Sequence, residues 1–226
     1  MQQTRLARLA RVVVPDVPHH VTQRGNGRQQ TFFSDDDYAR YRDLLREHCA
    51  AYAVGIWAWV LMPNHAHLIL TPADSDGLRA TLSKMHRAYA GYVHAREQRT
   101  DHFWQGRFGA VAMDEARLWA AVPYVVLHPV RAGLVAQASD WRWSSVHAHL
   151  DPVRGDGVTD TAPIAARFGD FAALITAGED AGRSQNLRRA ESIGRPLGDP
   201  EFLAHIEAAT GRNLRPGKPG PRKGGS

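Results

Sequence analysis

The sequence predicts an α+β fold in which an antiparallel sheet carries helices on one face, and three observations predict it. Short apolar or β-branched runs at 11–23, 53–62, 65–70 and 103–112 are bounded by turn signals, as strands are. Two stretches, 34–52 and 76–99, repeat apolar residues at helical spacing. The two kinds follow one another as β, α, β, β, α, β, which is the ferredoxin-like split β-α-β order. A further helix, a helical C-terminal extension and a basic tail come after it. The expected boundaries are 1–150 for the main domain, 151–210 for the extension and 211–226 for a disordered tail.

Val12, Val13 and Val14, then His20, Val21 and Thr22, read as a strand from Arg11 to Gln23 interrupted at Pro15 and Pro18. Arg24-Gly25-Asn26-Gly27-Arg28 reads as a turn. Ser34 followed by Asp35, Asp36 and Asp37 is an N-cap with acids in the first turn. The helix it opens carries Tyr38, Tyr41, Leu44, Leu45 and His48 on one face and ends near Tyr52. Ala53 to Met62, the Pro63-Asn64 turn and His65 to Leu70 make a β-hairpin. From Asp76 to Arg99 a basic helix turns Leu78, Leu82, Met85, Tyr89 and Tyr92 inward and Arg79, Lys84, Arg87 and Arg96 outward. Phe103 to Ala112 reads as the last strand. Asp114 caps a helix that runs to Leu127 and stops there, because the residue before Pro129 disfavours the α region. The chain loosens through Asp151 to Asp160, and short helices are expected over 162–177 and 200–210.

Composition narrows the class. Of 226 residues, 43% are hydrophobic and 23% charged, ordinary for a globular chain. A single cysteine, Cys49, excludes an intramolecular disulfide, so nothing points to an oxidising compartment. The longest apolar runs fall short of the ~18 residues a membrane span needs, and the N-terminus lacks a signal-peptide core. A cytoplasmic protein with no membrane partner is expected. The net charge of +5 resides in the tail, where Arg212, Arg215, Lys218, Arg222 and Lys223 stand without an acid. Rich in Gly and Pro, such an arm cannot fold by itself and suits a phosphate backbone.

The residues that carry chemistry are few. His65 and His67 lie two apart on a strand, so both imidazoles leave the same face of the sheet, as adjacent metal ligands do. Tyr124 and His128 lie four apart at the end of a helix and share its face, so that a third imidazole could complete the site. Three protein ligands would leave coordination positions open for substrate oxygens. A phenol is a poor nucleophile at neutral pH, but a divalent cation that polarises a phosphate makes its attack feasible. Arg24 and Arg28 flank a glycine turn where backbone can approach phosphate and guanidinium can bind it bidentately, with Asn26 placed to read a base edge. Lys84, Arg87 and Arg107 add candidate phosphate contacts, and Trp104 a stacking surface for an unpaired base.

Four runs then point to one family: His20-Val21-Thr22-Gln23-Arg24-Gly25-Asn26, Met62-Pro63-Asn64-His65-Ala66-His67-Leu68-Ile69-Leu70, Phe103-Trp104-Gln105-Gly106-Arg107-Phe108, and Tyr124-Val125-Val126-Leu127-His128-Pro129-Val130-Arg131-Ala132-Gly133. Together they resemble the REP-associated tyrosine transposases, single-tyrosine HUH nucleases related to the transposases of a small insertion-sequence family. The likeness runs from about Arg11 to Leu150, and Gly194 to Gly198 with the basic end fit the family's C-terminal extension, where Arg195 is a further candidate DNA contact. The resemblance implies a metal-dependent endonuclease and strand transferase acting on single-stranded DNA with a hairpin, a repeated extragenic palindrome. It implies Mg²⁺ or Mn²⁺ held by the histidine pair and a residue of the tyrosine helix, a 5′-phosphotyrosine intermediate on Tyr124, and no high-energy cofactor. The extension implies a monomer, whereas the insertion-sequence relatives work as dimers. Two positions depart from the family pattern. His128 stands where asparagine is usual, a softer ligand that shifts preference toward Mn²⁺ or Zn²⁺. Pro123 precedes the tyrosine and is expected to kink its helix unless the helix restarts there. A metal hydrolase using the three histidines to activate water, or a hairpin-binding regulatory protein without catalysis, are the other readings of the same residues.

Overall fold

Backbone pleating and turn chemistry produce four strands, β1 (His19–Arg24), β2 (Val54–Met62), β3 (His65–Pro72) and β4 (Gly109–Ala112). All pair antiparallel, in the order β2-β3-β1-β4 that a split β-α-β unit requires. The computed structural model describes residues 11–178, 182, 187 and 194–214. The basic tail expected from 211 onward therefore lies, from 215 on, outside the described residues.

Helix α1 (Asp35–Ala51) opens with a capping box in which Ser34 and Asp37 satisfy each other's backbone, and it closes at Tyr52. Helix α2 (Gly77–Glu97) packs beside it, and Arg96 in its last turn forms an ion pair with the buried carboxylate of Asp37. Both helices cover one face of the sheet, where Tyr41, Leu45, Leu82, Met85 and Tyr89 meet Val21, Leu61, Leu68 and Leu70. The alternation of β3 decides which side chains these are. Ala66, Leu68 and Leu70 point to α1 and α2, whereas His65, His67 and Ile69 point away.

The opposite face is covered as well. Helix α3 (Glu115–Val126), capped by Asp114 through the Arg117 N–H, lays Leu118, Val122 and Val125 over Trp57, Val60, Met62 and Ile69. The crossover helices thus share one face as expected, and the helix that follows the split unit takes the other. Beyond it, α4 (His128–Arg131), α5 (Val146–Leu150), α6 (Ala162–Phe168) and α7 (Phe171–Ala177) follow, and Val146, Ile164 and Phe171 enlarge that second core. A last helix, α8 (Pro200–Thr210), packs Ile206 against Val12 and Val14.

Two strand expectations are shortened. The valine run Val12 to Val14 is not strand: Pro15 and Pro18 cannot donate to a ladder, Asp16 adopts φ 59°, and β1 begins only at His19. The last strand begins at Gly109 rather than Phe103. Gly106, at φ 156°, redirects the chain, and 103–105 instead clip the turn after β1 through Asn26 N–H to Phe103 O (2.9 Å) and Gln105 N–H to Arg24 O (2.9 Å). Both sheet edges have main-chain partners from later in the chain: Trp143 to Ser145 along β2, and Leu197 along Ala112 to Asp114.

Two buried histidines away from the face of His65 set an expectation for acid stability. The His19 ring donates from Nδ1 to Val17 O (2.7 Å) and accepts the Val14 N–H at Nε2 (3.2 Å), so it is satisfied only when neutral. Burial lowers it from the usual 6.5 to about 4, and lowers His86, bonded to the Tyr41 hydroxyl, to about 3. As pH falls below 6.5 the unfolded chain takes up protons at both rings that the native chain refuses. Stability is therefore lost on acidification, by ~1.4 kcal/mol per pH unit for each ring across the window down to about 4. The urea midpoint is expected to be clearly lower at pH 5 than at pH 7, and equal midpoints would show that the native rings accept protons in place.

Candidate active site

Register and helix geometry assemble the site from three elements. On β3, His65 and His67 project from the face that α3 covers, and on β1 the partners across the ladder are Arg24 and Thr22, with His20 one step further. Tyr124 reaches the same face from α3, where it is 3% exposed. The helix continues unbroken through Pro123, whose carbonyl accepts the Leu127 N–H at 2.9 Å. The chain changes course at Leu127 instead, and α4 starts with His128 turned toward the strand histidines.

The nitrogen donors of His65, His67 and His128 all lie within 4.8 Å of one another, the one such cluster among the described residues. His65 Nε2 and His128 Nε2 are 3.3 Å apart. The Tyr124 ring meets His67, His20 and His128 edge-on, with centroids at 5.6, 5.7 and 5.8 Å. Each imidazole of the triad is held through its other nitrogen by a different residue. Asn64 Oδ1 takes His65 Nδ1 at 2.6 Å, His20 Nε2 meets His67 Nδ1 at 3.0 Å, and an Arg131 N–H meets His128 Nδ1 at 2.8 Å. Such outer partners fix ring orientation and tautomer in metal sites. The Arg131 guanidinium also lies 4.4 Å above the Tyr124 ring, a cation–π contact.

Electrostatics favour neutral rings. Burial, then the Arg24 and Arg131 cations, push His65 down to about 3, and burial with the neighbouring imidazoles and Arg24 holds His67 well below its usual range. Neutral imidazole is the form that ligates. Three convergent nitrogen donors fit a divalent metal ion.

The other residues singled out from the sequence divide by face. Arg24 joins the histidines directly across the ladder. Asn26 and Arg28 are exposed on the adjoining 3₁₀ turn, which Asn64 fastens by donating to Arg28 O at 3.0 Å. Lys84 and Arg87 sit exposed on α2, across the sheet from the triad, and the Lys84 ammonium bonds the Tyr52 hydroxyl. Trp104 is half-buried on that side, its indole N–H bonded to His86 O at 3.0 Å. With Arg107, Gln23 and His86 it lines a cavity of about 530 Å³. Arg195 lies beside the β4 edge, two residues from Leu197. His20, Asn64 and Arg131 were not singled out as site residues. The place of His20 depends on the β1–β3 register, which β1 alone does not disclose, and the signal for Asn64 and Arg131 was their closeness in sequence to His65 and His128.

A tyrosine held against three convergent imidazoles on a ferredoxin-like sheet is the architecture of the single-tyrosine HUH class. The sequence profile of the family described as "Transposase IS200 like" matches residues 13–127, half of the chain, and the chain belongs to that family. It is 32% identical over 99 residues to the REP-associated tyrosine transposase of Escherichia coli K12, a match covering 43% of this chain and 56% of that protein. A Haemophilus influenzae relative is 23% identical over 118 residues, covering 47% of this chain and 67% of its own length. The fold resembles a solved REP-associated tyrosine transposase bound to a REP hairpin, with a TM-score of 0.57, 22% identity, and coverage of 77% of this chain and 98% of that one. Among the described residues no helix is long and apolar enough to cross a membrane.

Proposed function

We propose that this chain is a metal-dependent single-strand DNA endonuclease and strand transferase that nicks beside a repeated palindromic hairpin through a 5′-phosphotyrosine intermediate. The observation that carries the reading is Tyr124 packed edge-on against His67 and His128, which puts a potential nucleophile beside the cluster of ligating nitrogens. The REP hairpin held by the structural relative supplies the substrate class.

The three histidines would hold Mn²⁺ or Mg²⁺, which when bound supplies charge to polarise a phosphodiester and to stabilise the charge that develops on it. Tyr124 Oη forms a bond to phosphorus as it gives up its proton, and the bond from phosphorus to the 3′ oxygen breaks. That oxygen leaves with the electron pair and takes up a proton, so the products are a 5′-phosphotyrosine ester and a free 3′-hydroxyl. One phosphodiester replaces another, so attack by a 3′-hydroxyl on the phosphotyrosine rejoins strands without ATP. Arg24, across the ladder from His65, would meet the phosphate nearest the reaction, and Arg28 and Asn26 the nucleotides beyond it. Lys84, Arg87, Trp104, Arg107 and Arg195 lie on other surfaces and would contact the hairpin or its flanking strand. Action as a monomer is part of the same proposal, and the main-chain bonds of Trp143 and Ser145 with β2 and of Leu197 with Ala112 and Asp114 occupy part of each sheet edge.

The test uses single-stranded oligonucleotides from the host genome that contain such hairpins, labelled at the 3′ end, which lies in the fragment that stays on the protein. With Mn²⁺ present, label is expected at the size of the protein on a denaturing gel, and EDTA is expected to remove it. A native-gel shift with neither cleavage nor protein-bound label would identify a DNA-binding protein without nuclease chemistry.

A further inference from the structure

Hydrogen-bond partners constrain where the protons sit around the triad, and they act differently on His65 and His128. Asn64 donates its amide N–H to Arg28 O at 3.0 Å, so the atom it presents to His65 is the oxygen. His65 therefore carries its proton on Nδ1 and offers a lone pair at Nε2. At His128 the order is reversed. Arg131 has only donors, so the 2.8 Å contact from its guanidinium requires Nδ1 of His128 to accept. A neutral His128 then carries its proton on Nε2, and that N–H points at the His65 Nε2 lone pair 3.3 Å away. Two independent neighbours, Arg131 on one side and His65 on the other, agree on the same tautomer.

We propose that Arg131 is a positioning residue that acts as a latch on the metal site, holding His128 in the non-ligating tautomer until the metal ion enters. Ligation through Nε2 requires the His128 proton on Nδ1, where it would oppose an Arg131 N–H, so loading moves the guanidinium off that nitrogen. The guanidinium is placed to stay with the nucleophile when it does so. It lies 4.4 Å over the Tyr124 ring, and two of its nitrogens are 3.4 Å from the Tyr124 carbonyl oxygen. Loading thereby frees the guanidinium from His128 while it stays beside Tyr124, coupling metal occupancy to the surroundings of the nucleophile. The latch rests on the reading of His65, His67 and His128 as a metal site.

Arg131→Gln separates a latch from a strut, because the glutamine oxygen can accept the His128 Nδ1–H and pre-set the ligating tautomer. Two measurements are needed: the ¹H–¹⁵N long-range spectrum of the His128 ring in the metal-free protein, and Mn²⁺ binding by titration calorimetry. The wild-type ring is expected to be protonated on Nε2 and the variant on Nδ1. The variant is expected to bind Mn²⁺ roughly tenfold more tightly, the scale on which such outer partners act. Arg131→Lys keeps a donor and should leave the ring protonated on Nε2. A wild-type ring protonated on Nδ1, or a folded Arg131→Gln protein that binds Mn²⁺ no better than wild type, would overturn the latch alone. A wild-type protein that takes up no Mn²⁺, with His128 still protonated on Nε2, would overturn the metal site and the latch with it.

Discussion

Tyr124→Phe is expected to lower strand cleavage by at least about a thousandfold and to abolish the covalent adduct, while hairpin binding stays within about twofold of wild type. The substitution removes one oxygen and keeps the ring. That ring holds the site together, edge-on to His20, His67 and His128 and beneath the Arg131 guanidinium, and phenylalanine makes the same contacts. Loss of a single hydroxyl interaction costs about 1 kcal/mol in stability, too little to unfold a helix whose Leu118, Val122 and Val125 are fixed in the core below. Cleavage and folding are thus separable in this variant. The measurement is the labelled-oligonucleotide gel run beside a native-gel titration. Full nicking by Tyr124→Phe would sink the phosphotyrosine mechanism and favour water activated at the three histidines, a reaction in which Tyr124 only lines the pocket.

The reading of His65, His67 and His128 as neighbours shows which kind of information a sequence carries. Strand parity put the two strand histidines on one face, and helical spacing put His128 below Tyr124, because both rules act over four residues or fewer. Where long-range placement decided the outcome, the local pattern was less complete. Nothing local says that α3 covers the face opposite α1 and α2, and it is this choice that brings Tyr124 to the histidines. Lys84 and Arg87 are outward on their helix as the periodicity predicts, yet the helix lies across the sheet from the triad. The valines at 12–14 have strand propensity, but the prolines at 15 and 18 keep them out of the ladder, and Val12 and Val14 are buried against Ile206 of α8 instead. His20 is the instructive case: its role depends on the β1–β3 register, which pairs it with Ile69 and sets it one step from His67. Register follows from the whole sheet, so a single strand cannot disclose it. Asn64 and Arg131 lay inside runs that the sequence had already marked, and only hydrogen-bond geometry distinguished them from their neighbours.

His65→Ala is expected to weaken Mn²⁺ binding by more than about a hundredfold, beyond the 10–100-fold typical of losing an outer partner, since a ligand itself is removed. Cleavage should fall to background at ordinary Mn²⁺ concentrations. Two imidazoles would remain, that of His128 and that of His67, whose Nδ1 is bonded to His20, but two nitrogen donors leave most coordination positions to water. The substitution should leave the fold intact. His65 lies at the start of β3, 8% exposed, and its backbone pairing with Arg24 and Met62 does not depend on its ring. Hairpin binding without metal should likewise persist, because Arg24, Asn26 and Arg28 are carried by β1 and its turn. The variant leaves a ring-sized space bordered by Asn64 and His128, the partners of the lost imidazole. Free imidazole added to the buffer can enter that space, bond Asn64 through one nitrogen and offer the other to the metal. Partial recovery of adduct formation with imidazole, and none with an equal concentration of a non-ligating amine, would assign the loss to coordination. Cleavage that survives in His65→Ala without added imidazole would show that the metal is held elsewhere.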